Sequence, residues 1–360
     1  MYWKELTQKQ PFIIAELGKN FIQTEEVRPV TEYIENAKTL IDMAKASGAD
    51  AVKFQTHQVQ DEQLEIKVQS PHFNGQDRYA WVKRNTEATP LEFWRAIKDY
   101  AEEKNITFFS TPMSRNSAKL LEGIGVPFWK VGSADILDFV MLDYIAETRK
   151  PVIISSGMVN FDDLDMSITM LEKRGVDVAV LYCISQYPCP LSEFNLRTIQ
   201  KIQQKYPHLV VGFSDHSIET ERVDQAAVSL GARIIEKHFT GSKSWWGPDH
   251  KASLEPSEFA AMVKAVRSET YTLSEADEFL GDIEKPLQGS QSKFIPIFFK
   301  TLVAAKPLAA GSILKIENVN AMRPLGFAEG IPSKELYTYL GRVLKVDISE
   351  GAILKPEFFS

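Results

Sequence analysis

Cysteine is nearly absent from this 360-residue chain: Cys183 and Cys189 are the only two. They are too few for a disulfide framework and lack the spacing of a metal-binding pair, so a reducing compartment is expected. No apolar run reaches the roughly 20 residues that a membrane-spanning helix requires. The first apolar stretch, PFIIAEL, is too short for a signal peptide and lies where a strand is expected. The sequence thus predicts a cytoplasmic protein. An excess of positive charge is missing as well. Lysine and arginine number 41 against 48 aspartates and glutamates, a formal net charge of −7. That balance argues against nucleic acid or an anionic membrane as the main partner, although local lysines can still make one pocket cationic. What the chain does have is core. It is 44% hydrophobic and 25% charged, which suffices for a full barrel and a second domain.

Short apolar runs alternate with longer amphipathic stretches almost from the start. The expected strands are residues 12–17, 51–56, 106–111, 128–132, 152–156, 178–184, 209–214 and 232–237. Helical patterns such as ENAKTLIDMAKASG lie between them, with Gly48 and Asn105 as stop signals. Near-continuous apolar strands separated by helices indicate a parallel sheet, and eight such units close a TIM-type (β/α)8 barrel. The barrel is expected over residues 1–283. A proline- and glycine-bearing linker, EKPLQGSQSKFIP, follows over 284–297, and a small domain of β-like pieces and glycine turns occupies 298–360. Residues 70–89 read as a long polar loop whose aromatic residues favour an ordered lid.

Polar residues collect at the strand ends, where a barrel builds its active site. His216 and His238 follow two successive strands, so their imidazoles can converge on one point. Such a pair suits a borderline divalent ion such as manganese, cobalt or zinc, with water completing the shell. A hydrogen-bonded core role is the alternative for each histidine. Asp215 and Glu236 are candidates for orienting the rings. Lys53 and Lys130 lie inside apolar strand runs. They fit an anion cradle or a Schiff-base amine, or they snorkel from a strand edge; Lys237 is a third such lysine. Glu16 is a carboxylate in an apolar strand, poised as a general acid or base or tied into an ion pair. In WWGPDHKASLEP, Asp249 and His250 could bind a polyol on which the tryptophans stack, or simply form a turn.

The segments IAELG, GADAVKFQ, FFSTP, KVGSADI, ISSGM, YCISQYP, GFSDHS, GARIIEKHFT and GPDHKASLEP together resemble the sialic acid synthase family, N-acetylneuraminate synthases and legionaminate-type relatives. TLVAAKPLAAGSIL and NAMRP resemble the antifreeze-like (SAF) domain that follows the barrel in that family. The resemblance implies condensation of phosphoenolpyruvate with the open-chain aldehyde of a 2-acetamido sugar, either N-acetylmannosamine or a 2,4-diacetamido relative. It implies a divalent cofactor on His216 and His238, manganese first, with magnesium or cobalt as alternatives. Lys53, Thr111, Lys130, Ser133, Ser155, Ser185 and Ser214 match the phosphoenolpyruvate side. Tyr187 and Asp249 match the sugar side, and Glu16 the proton-handling carboxylate. Arg323 matches the arginine that one protomer's small domain inserts into its partner's active site, which implies a domain-swapped homodimer. The DHKASLEP stretch leans towards neuraminate and legionaminate synthases. Phe21 after Asn20, the pair Ala134–Asp135 and the length of the 70–89 segment depart from the family pattern, all near the expected sugar. The alternative readings are a 3-deoxy-ulosonate synthase acting on a phosphorylated sugar and a Schiff-base aldolase built on Lys130.

Overall fold

In the computed structural model, which describes residues 1–69, 76–268, 273, 276–283 and 294–360, the eight apolar runs all become parallel strands. They are β1 (Phe12–Gly18), β2 (Ala51–Thr56), β3 (Thr107–Pro112), β4 (Trp129–Val131), β5 (Val152–Ser155), β6 (Val178–Cys183), β7 (Val210–Asp215) and β8 (Ile234–His238). The ladder runs β3-β2-β1-β8-β7-β6-β5-β4, and β3 lies beside β4 at the seam of a nearly closed barrel.

The two-residue side-chain period explains why polar groups gather at one mouth. Along the barrel interior, Phe12, Ile14, Phe109, Phe128, Ile153, Leu181 and Ile234 pack into one apolar plug with Trp3, from the short helix Tyr2–Leu6, beneath it. The next inward position is polar on seven of the strands, Glu16, Lys53, Thr111, Lys130, Ser155, Ser214 and Glu236, and is Cys183 on β6. Alternate residues such as Ile13, Ala15, Val52 and Ile235 face outward into the core shared with the helices. The two glycine-like stop signals hold: Gly48 has φ +92° and Asn105 φ +53°.

Residues 78–88 are a helix, Arg78–Ala88, where a long polar loop was expected over 70–89. Asp77 caps it by accepting from the Ala80 amide at 3.0 Å. Residues 70–75 of the expected lid lie outside the described residues, as does 284–293 of the expected linker. Within the remainder of that linker, Ile295–Phe298 forms a helical turn.

The small domain pairs β9 (Thr301–Ala304) with β10 (Val319–Met322) antiparallel and docks on the barrel mouth through buried polar contacts. Lys300 Nζ lies 2.7 Å from both Asp135 and Asp138 and donates to the Met113 carbonyl at 2.6 Å. Arg115 of the barrel donates to the carbonyls of Ile316 (2.9 Å) and Val319 (2.8 Å). Both cysteines are buried and neither is in a disulfide. No helix among the described residues is long and apolar enough to cross a membrane.

Candidate active site

The polar strand ends line one pocket at the barrel mouth, to which Phe294 of the linker segment and Phe298 and Arg323 of the small domain contribute. Lys53 Nζ sits 2.7 Å from Glu16 Oε2, 3.6 Å from Glu236 Oε1 and 3.1 Å from Thr111 Oγ1. Lys130 Nζ and Ser214 Oγ donate to the same Glu236 oxygen at 3.0 and 3.1 Å. Their environments push the two carboxylates apart. Burial would raise Glu236, but Lys130 and Lys53 outweigh it and hold its pKa at about 2. At Glu16 burial dominates over Lys53, and the neighbouring Glu236 charge adds to it, so its pKa is raised. One carboxylate stays ionised while the other is poised to carry a proton, the division of labour that marks acid–base pairs.

Next to Lys130, strand ends β4 to β6 form a cradle. Ser133 Oγ accepts from the Gly157 amide at 3.1 Å, and Ser155 Oγ is buried without a partner among the described residues. A methyl on Gly157 would sit 2.5 Å from Ser185 Oγ and 2.6 Å from Ser133 Oγ. Only glycine keeps this space open, and burial pulls the Lys130 pKa down for want of more negative charge. Lys130 and the serine hydroxyls together suit a phosphate or carboxylate.

Opposite the cradle stand His216 and His238, ring centroids 5.4 Å apart, with the Tyr187 ring 4.1 Å from His216. Burial lowers their pKa values to about 3 and about 4, with the neighbouring His238 lowering that of His216 further. Both rings are therefore neutral at pH 7. His216 Nδ1 lies 2.6 Å from the Ile184 carbonyl, which assigns the proton to Nδ1 and leaves the Nε2 lone pair for a metal. No group of three or more His, Cys, Asp or Glu side chains gathers as a metal cage among the described residues. The pair fits an open catalytic site whose other positions belong to water and substrate. Asp215 and Glu236 do not orient the rings as expected. Asp215 points out of the barrel to Lys237, its register partner on β8, while Glu236 serves the lysines.

Asp249 reaches the pocket 3.9 Å from Lys19, but His250 turns away, with Nδ1 at 2.8 Å from Thr240 Oγ1. Trp246 packs on Trp81 and Trp245 on His250, and neither lines the pocket, so no sugar stacks on them. Asn20 is structural: its amide donates to the Phe239 carbonyl (2.8 Å) and Ser253 Oγ (3.1 Å). Arg323 bonds Asp135, the residue that departs from the family pattern, and its backbone is held by Glu62, Gln63 and Leu64. It enters the pocket of its own chain here, where a partner's arginine was expected, because Lys300 and Arg115 dock the small domain on the same barrel.

Sequence reasoning missed Lys19, Gln55, His57, Arg78 and Asp135, all lining the pocket. Glu62 beneath them accepts from His57 Nδ1 at 2.8 Å. Lys19, His57, Arg78 and Asp135 lie outside the apolar runs, and Gln55 near the end of one, so none stood out against its neighbours; Asp135 alone carried a signal, as a departure.

Against known proteins, the model of the NeuB family matches residues 40–278 and that of the SAF domain residues 299–360. The N,N'-diacetyllegionaminic acid synthase of Campylobacter jejuni is 32% identical over 355 residues, covering 96% of this chain and 99% of that protein. The human N-acetylneuraminate-9-phosphate synthase is 31% identical over 351 residues, covering 96% and 92%. The crystal structure of the spore coat polysaccharide biosynthesis protein SpsE of Bacillus subtilis superposes with a TM-score of 0.79 at 27% identity, covering 98% and 95%.

Proposed function

The chain belongs to the NeuB family, and we propose that it condenses phosphoenolpyruvate with the open-chain aldehyde of a 2-acetamido sugar. The product is a nine-carbon 2-keto-3-deoxy sugar of the sialic-acid type. The observation that carries this reading is one pocket holding both a cationic cradle (Lys130, Ser133, Ser155 and Ser185, backed by Lys53) and a neutral histidine pair.

Lys130, Ser133, Ser155 and Ser185 hold the donor's phosphate and carboxylate, with Lys53 and Ser214 fixing Glu236 behind them and Thr111 accepting from Lys53. Tyr187, Asp249 and Arg323 hold the acceptor sugar. A divalent ion on His216 and His238, manganese with magnesium or cobalt as alternatives, polarises the aldehyde oxygen when bound. The donor's methylene carbon bonds to the aldehyde carbon, whose oxygen takes up a proton. Water adds to the resulting cationic C2 and gives up a proton, which Glu16, the carboxyl of raised pKa, is placed to carry. The C2–O bond to phosphate then breaks, leaving the ketone and inorganic phosphate. Atoms balance as phosphoenolpyruvate plus aldehyde plus water.

We also propose a homodimer with exchanged small domains, in which Arg323 makes these contacts across two chains. Incubation with phosphoenolpyruvate, manganese and a panel of 2-acetamido and 2,4-diacetamido sugars tests the reaction. Sugar-dependent phosphate release, lost with chelator, is expected. Metal-independent turnover with borohydride trapping of pyruvate on Lys130 would establish the aldolase reading instead.

A further inference from the structure

The pocket carries positive charge that the condensation above leaves idle. Arg78, the first residue of the helix Arg78–Ala88, is buried and lines the pocket. Its guanidinium lies over the Phe298 ring, 4.6 Å from the centroid. The nearest carboxylate, Glu62, is 4.0 Å from Nη2, beyond hydrogen-bond reach, and both its oxygens already face His57 Nδ1 at 2.9 and 2.8 Å. Among the described residues Arg78 Nε meets no acceptor. Lys19 lies on the same side, donating to Gln55 Oε1 at 2.6 Å and standing 3.9 Å from Asp249.

The other cations of the pocket have their counter-ions: Lys53 holds Glu16 and Glu236, and Arg323 shares Asp135 with Lys300. The pKa values of Lys53 and Arg323 are raised against burial, whereas burial lowers those of Lys130, in the donor's cradle, and of Lys19 and Arg78, that of Arg78 to about 10. The electrostatic neighbours of Arg78 are Arg323, Glu62, Asp135 and Asp249, the acceptor end, and not the carboxylates that serve the donor's cradle. A planar guanidinium with open N–H groups, buried and short of negative charge, is built to receive an oxyanion bidentately. A hydroxyl or an acetamide would accept a hydrogen bond without supplying charge.

We propose that Arg78, with Lys19 beside it, selects an acceptor sugar bearing a terminal phosphate monoester. This rests on the synthase reading, since the phosphate arrives on the sugar that reading assigns to this end of the pocket.

The test compares N-acetylmannosamine with its 6-phosphate, in the presence of phosphoenolpyruvate and manganese, for the wild-type enzyme and for Arg78→Met and Arg78→Lys. The expected wild-type kcat/KM favours the 6-phosphate by about tenfold or more, as sites with buried polar groups reject ligands that leave them unpaired. Arg78→Met brings that ratio towards one through KM for the phosphorylated acceptor, and Arg78→Lys restores part of it. A wild-type preference for the neutral sugar overturns the proposal while leaving the synthase reading intact. So does an Arg78→Met effect confined to KM for phosphoenolpyruvate, which would move Arg78 to the donor. Absence of phosphate release with every acceptor sinks the synthase reading and this proposal with it. The wild-type ratio alone decides should the Met variant fail to fold, which its melting curve reports.

Discussion

His216 and His238 are neutral, buried and 5.4 Å apart between ring centroids, with one Nε2 lone pair assigned by the Ile184 carbonyl. Either His216→Ala or His238→Ala is expected to lose bound divalent metal and turnover, by more than the roughly 100-fold that loss of an outer hydrogen-bond partner causes. Metal content after dialysis, beside phosphate release, checks this; an active variant that retains no metal would remove the assignment. Glu62 makes a separate prediction about pH. Burial would raise its carboxyl, but the His57 Nδ1–H and the guanidiniums of Arg323 and Arg78 hold it down at about 2. Burial keeps His57 itself below its ordinary value, so the imidazole is neutral near pH 7 and acts on Glu62 as a donor. The unfolded chain takes up this proton near pH 4.5 and the folded chain only near 2. Glu62 thus contributes stability above pH 4.5, about 3 kcal/mol at most, that is lost as pH falls towards 2. Wild-type protein should exceed Glu62→Gln in denaturant midpoint at pH 7, and the gap should close over that window. At this scale Glu16, Lys53 and Lys130 were legible because each interrupts an apolar strand. Lys19 and Arg78 were not, since a cation among polar residues looks like solvated surface until the chain folds over it.

Strands β7 and β8 carry the two histidines on one side and a buried ion pair, Asp215–Lys237, on the other. Lys237 also donates to Ser217 Oγ (3.2 Å) and the Glu219 carbonyl (2.9 Å), tying down the turn that follows His216. Gly212 sets how closely these strands approach: a methyl there would lie 2.4 Å from the Ile234 carbonyl oxygen and 2.5 Å from Leu181 Cδ2. Gly212→Ala must push β7 off β8, at a cost of about 1–3 kcal/mol as overpacking. The expected result is a lowered melting temperature together with weaker manganese affinity, read by titration calorimetry. Unchanged melting would mean that the interior yields more easily than these contacts imply. All eight strands were legible from their apolar runs and polar ends. The helix Arg78–Ala88 was not, because RYAWVKRNTEA presents no apolar stripe at helical spacing and its burial comes from Trp81 and Val82 alone among its large apolar residues.

The barrel followed by a SAF domain was legible in the strand pattern and the C-terminal segments, but not the manner of docking. That depends on single polar residues, Lys300, Arg115 and Arg323, which face a barrel rather than water only once both parts have folded. Eleven Cα steps join Ile283 to Phe294, a reach of up to roughly 40 Å, so connectivity permits the small domain to cap its own barrel or a neighbouring one. Complementation separates these arrangements. Lys130→Met disables the barrel's cradle and Arg323→Ala disables the cap, and each alone should be inactive. In an exchanged dimer, a mixed pair contains one site with an intact barrel beneath an intact cap. Random pairing makes half the dimers mixed, so co-expression should recover about a quarter of wild-type activity. A chain that caps only itself leaves every site in the mixture with one lesion, and no activity returns. Recovery near a quarter, with both single variants silent, is the outcome the exchanged homodimer requires.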